Sequence, residues 1–327
     1  MRMKKNYSPL FFFWWCYWLC CTSGVWAQTA PTDQLSSIFW EISGKQLKKP
    51  SYLFGTHHLY EYDFIEQNPE ITRRLKQVEV VVGEIIVDSA DVMTMLKMAK
   101  SMMLSEGSLG KLLSPEDFQA TNECLQNTLG LSLDNPLIQK FKPIVLHQLI
   151  SVAKYLKTEG KEPALQELPM EGLSNRGSMD AYFQKQGKVW GKELRGLESI
   201  DAQVGILYDS YPIDRQIEML LDMVYDRDSS STFEVLRLNQ LYRQQNLDAL
   251  HELMVQQSTD GELERLLYER NRNWIPQLDH WLATEKRRLF IAVGAGHLPG
   301  DQGVIALLRA KGYTLTPVSI AVYTGKE

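Results

Sequence analysis

The chain has 327 residues, 44% of them hydrophobic and 23% charged, with 35 Lys and Arg against 40 Asp and Glu for a formal net charge of −5. That composition belongs to a globular protein with a sizeable core, not to a disordered or collagen-like chain. An acidic chain without a basic cluster lacks the phosphate contacts on which nucleic-acid binding rests, so DNA and RNA are set aside as partners.

The N-terminus reads as a secretory signal: Arg2, Lys4 and Lys5 precede the uncharged run LFFFWWCYWLCC, and GVWAQ follows, with Val25 and Ala27 suiting cleavage before Gln28. The run is shorter than the roughly 20 residues of a bilayer-spanning helix. The expected organisation is therefore a signal peptide over 1–27 and one domain over 28–327, exported to a periplasmic or extracellular space. An uncleaved membrane anchor, or peripheral membrane association, is the alternative. Cleavage removes three basic residues and no acidic one, so the mature chain is more acidic still. It also removes Cys16, Cys20 and Cys21 and leaves Cys124 alone, so no intrachain disulfide is expected. With no CxxC pattern, a metal site would have to use histidine and carboxylate.

Two strand-like pieces come first, SIFWEI and SYLFG, joined by the polar loop SGKQLKKP in the manner of a hairpin with a long turn. VEVVVGEIIV near residue 80 is apolar on both faces and reads as a buried strand that contains Glu84 in period two with Val80, Val82 and Ile86. A mostly helical stretch follows from about Asp88 to Leu282. Within it, Val92, Met95, Leu96, Ala99, Met102 and Met103 form one helical stripe, expected to be core, with a pliable substrate-contacting face as the alternative. Ser114-Pro115-Glu116-Asp117 carries an N-cap, a Pro at the first helical position and acids in the first turn. KELRGLE is strand-like and is closed by Glu198. In GELERLLYERNRNWIPQLDHWL the apolar stripe runs Leu263, Leu267, Trp274, Leu278, Trp281, and Pro276 is expected to bend the helix or end its first section. RRLFIAV and GYTLTPVSIAVY supply two final strands. The pattern is α/β, a mixed central sheet flanked by helices.

Two of the strands run into the same local pattern: SYLF into Gly55-Thr56-His57-His58 and LFIAV into Gly294-Ala295-Gly296-His297. A glycine at a strand's end lets the backbone turn sharply, and a histidine three residues on projects from the carboxyl edge, where open α/β sheets bind ligands. Two such turns suggest two halves of a sheet delivering imidazoles to one metal, the other reading being two unrelated loop histidines. Glu84 is the third candidate ligand, since an ionised glutamate in an apolar strand needs a metal or a cation. The alternative places it at the strand's end, paired with an arginine or capping a helix. Arg270 falls on the apolar stripe of its helix and so needs a carboxylate or an anionic ligand; Glu84 and Glu198 are the candidates. Gln203 could point the same way. His147, His251 and His280 have no glycine-turn context and read as surface or hydrogen-bonded histidines.

With these motifs the chain resembles the TraB/GumN family, to which the Tiki metalloproteases are related. LFGTHHL, VVVGEIIVD, FKP, SMDAYF, GLESIDAQ, ERNRNW and LFIAVGAGHLPGDQGVIALLRAKGYTLTPV occur in family order. The resemblance implies a mixed sheet built as two related halves, akin to Tiki proteins and erythromycin esterases. In the Tiki branch it implies metal-dependent peptide cleavage with manganese or cobalt; zinc suits the same donors. The family's motif histidines fall on His58 and His297, its strand carboxylate on Glu84, and its Arg-Asn pair on Arg270 and Asn271. His57, which duplicates an imidazole, and Gly83, where the family often has an apolar residue, depart from the pattern. The expected function is an exported metallohydrolase that cleaves peptides or proteins through His58, Glu84 and His297, with Arg270 steadying charge and Glu198 transferring protons. A peptide-binding protein without catalysis, or an esterase or lactone hydrolase, are the alternatives.

Overall fold

The structure, a computed structural model, describes residues 37–57, 63–86, 92–158, 178–227, 230–258 and 261–321. The expected signal segment over 1–27 and His58 lie outside the described residues.

Six strands form one mixed sheet: β1 Phe39–Gly44, β2 Ser51–Thr56, β3 Val80–Gly83, β4 Glu193–Gly196, β5 Leu289–Gly294 and β6 Tyr313–Pro317, in the order β4-β3-β5-β2-β1-β6. β1 and β2 are the expected hairpin, with Phe39 opposite Phe54. The polar loop that joins them turns through Lys45 and Gln46, both at positive φ. β6 lies antiparallel on β1. The other four are mutually parallel, with β5 inserted between β2 and β3. The sequence order of the strands does not reveal that insertion, because β5 reaches its neighbours only after the whole helical stretch. Buried aromatic rings bind the sheet to the helix Met179–Val189: Phe183 lies 5.1 Å from Phe54 and 4.9 Å from Phe290 between ring centroids. A second apolar cluster, including Met98, Met102, Leu125, Leu146 and Leu220, is built from helices and the turns that join them.

Several boundaries differ from the sequence reading. β3 stops at Gly83, so Glu84 follows the strand instead of lying within it, and Ile86 is 41% exposed. The glycine permits this: a Cβ at Gly83 would lie 2.9 Å from Nε2 of Gln184, which itself donates to the Ile85 carbonyl. β4 likewise ends at Gly196, two residues before Glu198. The helix Val92–Ser101 buries Met98, which is off the expected stripe, and leaves Leu96, which is on it, 58% exposed; Met102, the residue after the helix, is buried as the stripe expects, and the side chains of Val92 and Met95 lie outside the described residues. The helix Glu269–Thr284 continues through the exposed Pro276 instead of ending there, and a π-helical turn, Glu264–Tyr268, precedes it. Ser114 caps the helix Pro115–Leu129 as expected, accepting from the Asp117 amide.

Candidate functional site

The carboxyl ends of the four parallel strands lie along one edge, and three of them end in glycine: Gly83, Gly196 and Gly294. Thr56, at the end of β2, pairs in register with Gly294. The two motif glycines therefore lie on neighbouring parallel strands, although more than two hundred positions separate them, and β2 runs on through Gly55 to Thr56 instead of turning there. Gly55 is needed for their close approach, since a Cβ there would meet the Cα of Ala295 at 3.0 Å and Leu298 Cδ2 at 3.1 Å. Beyond this edge come Glu84, Glu198 and His297, each within three residues of its strand.

Glu84 is buried and fully engaged. Its Oε1 accepts the Gly294 amide at 2.8 Å; its Oε2 accepts Gln203 Nε2 at 3.0 Å and Arg270 Nη2. Gln203 thus bonds Glu84, and Glu84 sits just past a strand end, paired with an arginine. Arg270, 9% exposed, is gripped on the other side by Glu198, whose Oε1 accepts Nη2 at 2.6 Å and whose Oε2 accepts Nε at 3.1 Å. Burial alone would lower the Arg270 pKa, but the charge of Glu84 and the hydrogen bonds and charge of Glu198 outweigh it and hold the guanidinium above its usual value. Two carboxylates against one guanidinium leave the cluster with one negative charge in excess.

His297, 3% exposed, closes the group. Asn271 donates through Nδ2 to the carbonyls of His297 (3.2 Å) and Gln302 (2.8 Å), which leaves its Oδ1 as the acceptor facing His297 Nδ1 at 2.7 Å. Nδ1 must then carry the proton, and Nε2 accepts Arg270 Nη1 at 3.1 Å. Nε2 lies 3.9 Å from Glu84 Oε1. Two ligands held about 2 Å from one ion can be at most about 4 Å apart. The donors are thus of the right kind and within reach of a shared divalent ion, with the Asn271 amide fixing the imidazole tautomer. Among the described residues no three of His, Cys, Asp and Glu stand together as a ready metal cluster.

Trp274 was legible in the sequence only as an apolar stripe residue. It packs against the His297 ring at 4.4 Å, lies under the Arg270 guanidinium at 4.9 Å and donates Nε1–H to Glu198 at 3.3 Å. On the β2 side, Thr56 donates to Asp180 at 2.8 Å, and Tyr242 packs 4.9 Å from the His57 ring and donates to the Gly55 carbonyl at 2.9 Å. Burial, followed by the charge of Asp180, pushes the Tyr242 pKa well up. Asp180 was visible only within SMDAYF, and Tyr242 gave no sequence signal. His251 shares a hydrogen bond with the Tyr268 hydroxyl and His280 is exposed, as expected. His147 departs from expectation: it is half-buried, and among the described residues its Nδ1 has no partner.

An α/β sheet with a glutamate, arginine and histidine cluster at its carboxyl edge is the class that fold and site define. The chain matches the TraB/PrgY/gumN family over residues 38–317 and belongs to that family. It is also similar to metalloprotease TIKI2 of Danio rerio, 23% identical over 323 residues, which is 85% of this chain and 60% of that protein's length. No solved structure matches. Among the described residues no helix is long and apolar enough to cross a membrane.

Proposed function

We propose that the chain is a hydrolase, specifically a divalent-metal-dependent peptidase working at the carboxyl edge of β2, β5 and β3. The observation that carries this reading is the facing of two buried donors, His297 Nε2 and Glu84 Oε1, at 3.9 Å beside a guanidinium. The similarity to a protein named a metalloprotease supports it. His58, Glu84 and His297 would hold the ion, and the neighbouring glycine turns on β2 and β5 would act as equivalent halves of the site. A bound manganese, cobalt or zinc ion polarises a substrate carbonyl and makes water more acidic. Arg270 is placed to steady negative charge growing on that carbonyl oxygen. Glu198 seats Arg270 with both oxygens, so proton transfer by Glu198 requires one of them to be released. His57 and Gln203 support the same edge. Export through residues 1–27 belongs to this reading, and N-terminal sequencing of the mature protein should begin at Gln28.

The test is elemental analysis of the purified mature protein, followed by digestion of a peptide library with manganese, cobalt or zinc and with chelator. Chelator-sensitive cleavage is expected. Saturable peptide binding without cleavage would make the protein a binder, and chelator-insensitive cleavage would defeat the metal role. Turnover of esters or lactones, but not peptides, would move the substrate class.

A further inference from the structure

We propose that Arg270 is a built-in competitor of the divalent ion: its guanidinium occupies the His297 nitrogen lone pair the ion needs and the second oxygen of Glu84, and its withdrawal onto Glu198 sets how tightly the ion is held. The inference rests on the metal reading above and concerns this chain's own arginine. An imidazole nitrogen has one lone pair, so Nε2 of His297 can accept Arg270 Nη1 or bind an ion, but not both. Glu84 Oε2 is taken by Nη2 of the same guanidinium.

The surroundings provide a place for Arg270 to go. Nη1 also donates to the Leu266 carbonyl at 3.0 Å, so leaving His297 does not orphan it. Leu266 lies in the π-helical turn Glu264–Tyr268, a kind of irregularity frequent at functional sites. Nε and Nη2 both reach Glu198, which keeps its fork on the arginine when Glu84 is given up. Trp274 supports both the arginine and Glu198. The side chain thus has one set of partners that it shares with the ion and one that it does not.

An arginine that merely orients a ligand has the opposite consequence. Removing an orienting partner typically weakens metal binding by about 10–100-fold, whereas removing a competitor strengthens it. Arg270→Lys distinguishes the two, because lysine keeps the positive charge between two carboxylates but lacks the fork that spans Glu84, Glu198 and His297 together. Mn²⁺ affinity, measured by electron paramagnetic resonance titration of the free ion, should rise by about tenfold or more, as follows if the donors are released in about a tenth or less of the molecules. Glu198→Gln removes the seat to which the arginine withdraws, and should lower Mn²⁺ affinity. In the wild-type chain, Zn²⁺ titration should shift the His297 Nε2 nitrogen resonance to a metal-bound position while the Arg270 Nε–H resonance stays in place. Wild-type binding with Arg270→Lys unchanged or weaker overturns the competitor role and leaves the metal reading standing. Absence of Mn²⁺, Co²⁺ and Zn²⁺ binding in the wild type and in both folded variants overturns both.

Discussion

Asn271 holds His297 in a single tautomer: its Oδ1 accepts the ring Nδ1–H at 2.7 Å while its amide nitrogen secures the His297 and Gln302 carbonyls. The imidazole lone pair is thereby turned toward Arg270 and Glu84.

Replacing Asn271 by Leu should therefore cost both stability and tautomer purity. A buried Nδ1–H and two carbonyls lose their partner, and an unsatisfied buried group costs about 1–3 kcal/mol. Urea denaturation measures the loss, and nitrogen NMR of His297 should show mixed ring tautomers. An unchanged His297 spectrum would mean that Asn271 does not set the lone pair.

Two glycine-to-alanine changes should have opposite signs. At Gly55 the added Cβ meets the Ala295 backbone at 3.0 Å, and overpacking of this kind costs about 1–3 kcal/mol. At Gly205, inside the helix Ile200–Asp209, nothing lies within 4 Å of the added Cβ, and alanine should stabilise by roughly 0.5–1 kcal/mol through helix propensity. Thermal melts of the two variants test the pair. A neutral Gly55→Ala would show that the two turns are not tightly packed.

Much of this arrangement could be read from residues whose local chemistry is self-contained. The hairpin, the Ser114 cap and the glycine that ends β5 each depend on a few neighbouring positions. Glu84 and Arg270 were legible in a different way: each placed a charge on an apolar face, and a buried charge demands a partner. The sequence could name the candidates, but only the sheet order, with β5 between β2 and β3, brings His297 to them. Trp274 stayed hidden because an indole on a buried stripe looks the same whether it fills core or packs on a histidine ring. The helix Val92–Ser101 shows a similar limit. Leucine and methionine are alike in hydropathy, so only packing against the second apolar cluster decides that Met98 is buried while Leu96 is exposed.

His147 makes stability depend on mild acid. Burial lowers its pKa below the ordinary value of 6.5, an effect only partly offset by the negative charge of Asp222, and among the described residues no partner meets Nδ1. The unfolded chain then binds a proton on this histidine where the folded chain does not, so its contribution is present above about pH 6.5 and is lost as pH falls toward the folded value. His147→Phe should reduce the difference in unfolding free energy between pH 7.5 and pH 5.5. Equal pH slopes in the wild type and the variant would remove His147 from the acid response.

The charge count at the site separates what Glu84 does from what Arg270 does. Nη2 of Arg270 is shared by Glu84 and Glu198, so one cation serves a buried and a partly buried carboxylate. Glu84→Gln removes one negative charge and leaves Arg270 on both oxygens of Glu198; the cost is the poorer hydrogen bonding of an amide facing three donors, about 1–3 kcal/mol. Arg270→Met instead leaves two carboxylates without a cation, and breaking a buried pair in that way costs about 3–5 kcal/mol. Urea denaturation should rank Arg270→Met well below Glu84→Gln in stability. Turnover should separate them differently: Glu84→Gln is expected to fall by several orders of magnitude with loss of bound metal, even though the chain remains folded. Wild-type peptide cleavage that survives Glu84→Gln at an unchanged rate would place the chemistry somewhere other than this edge of the sheet.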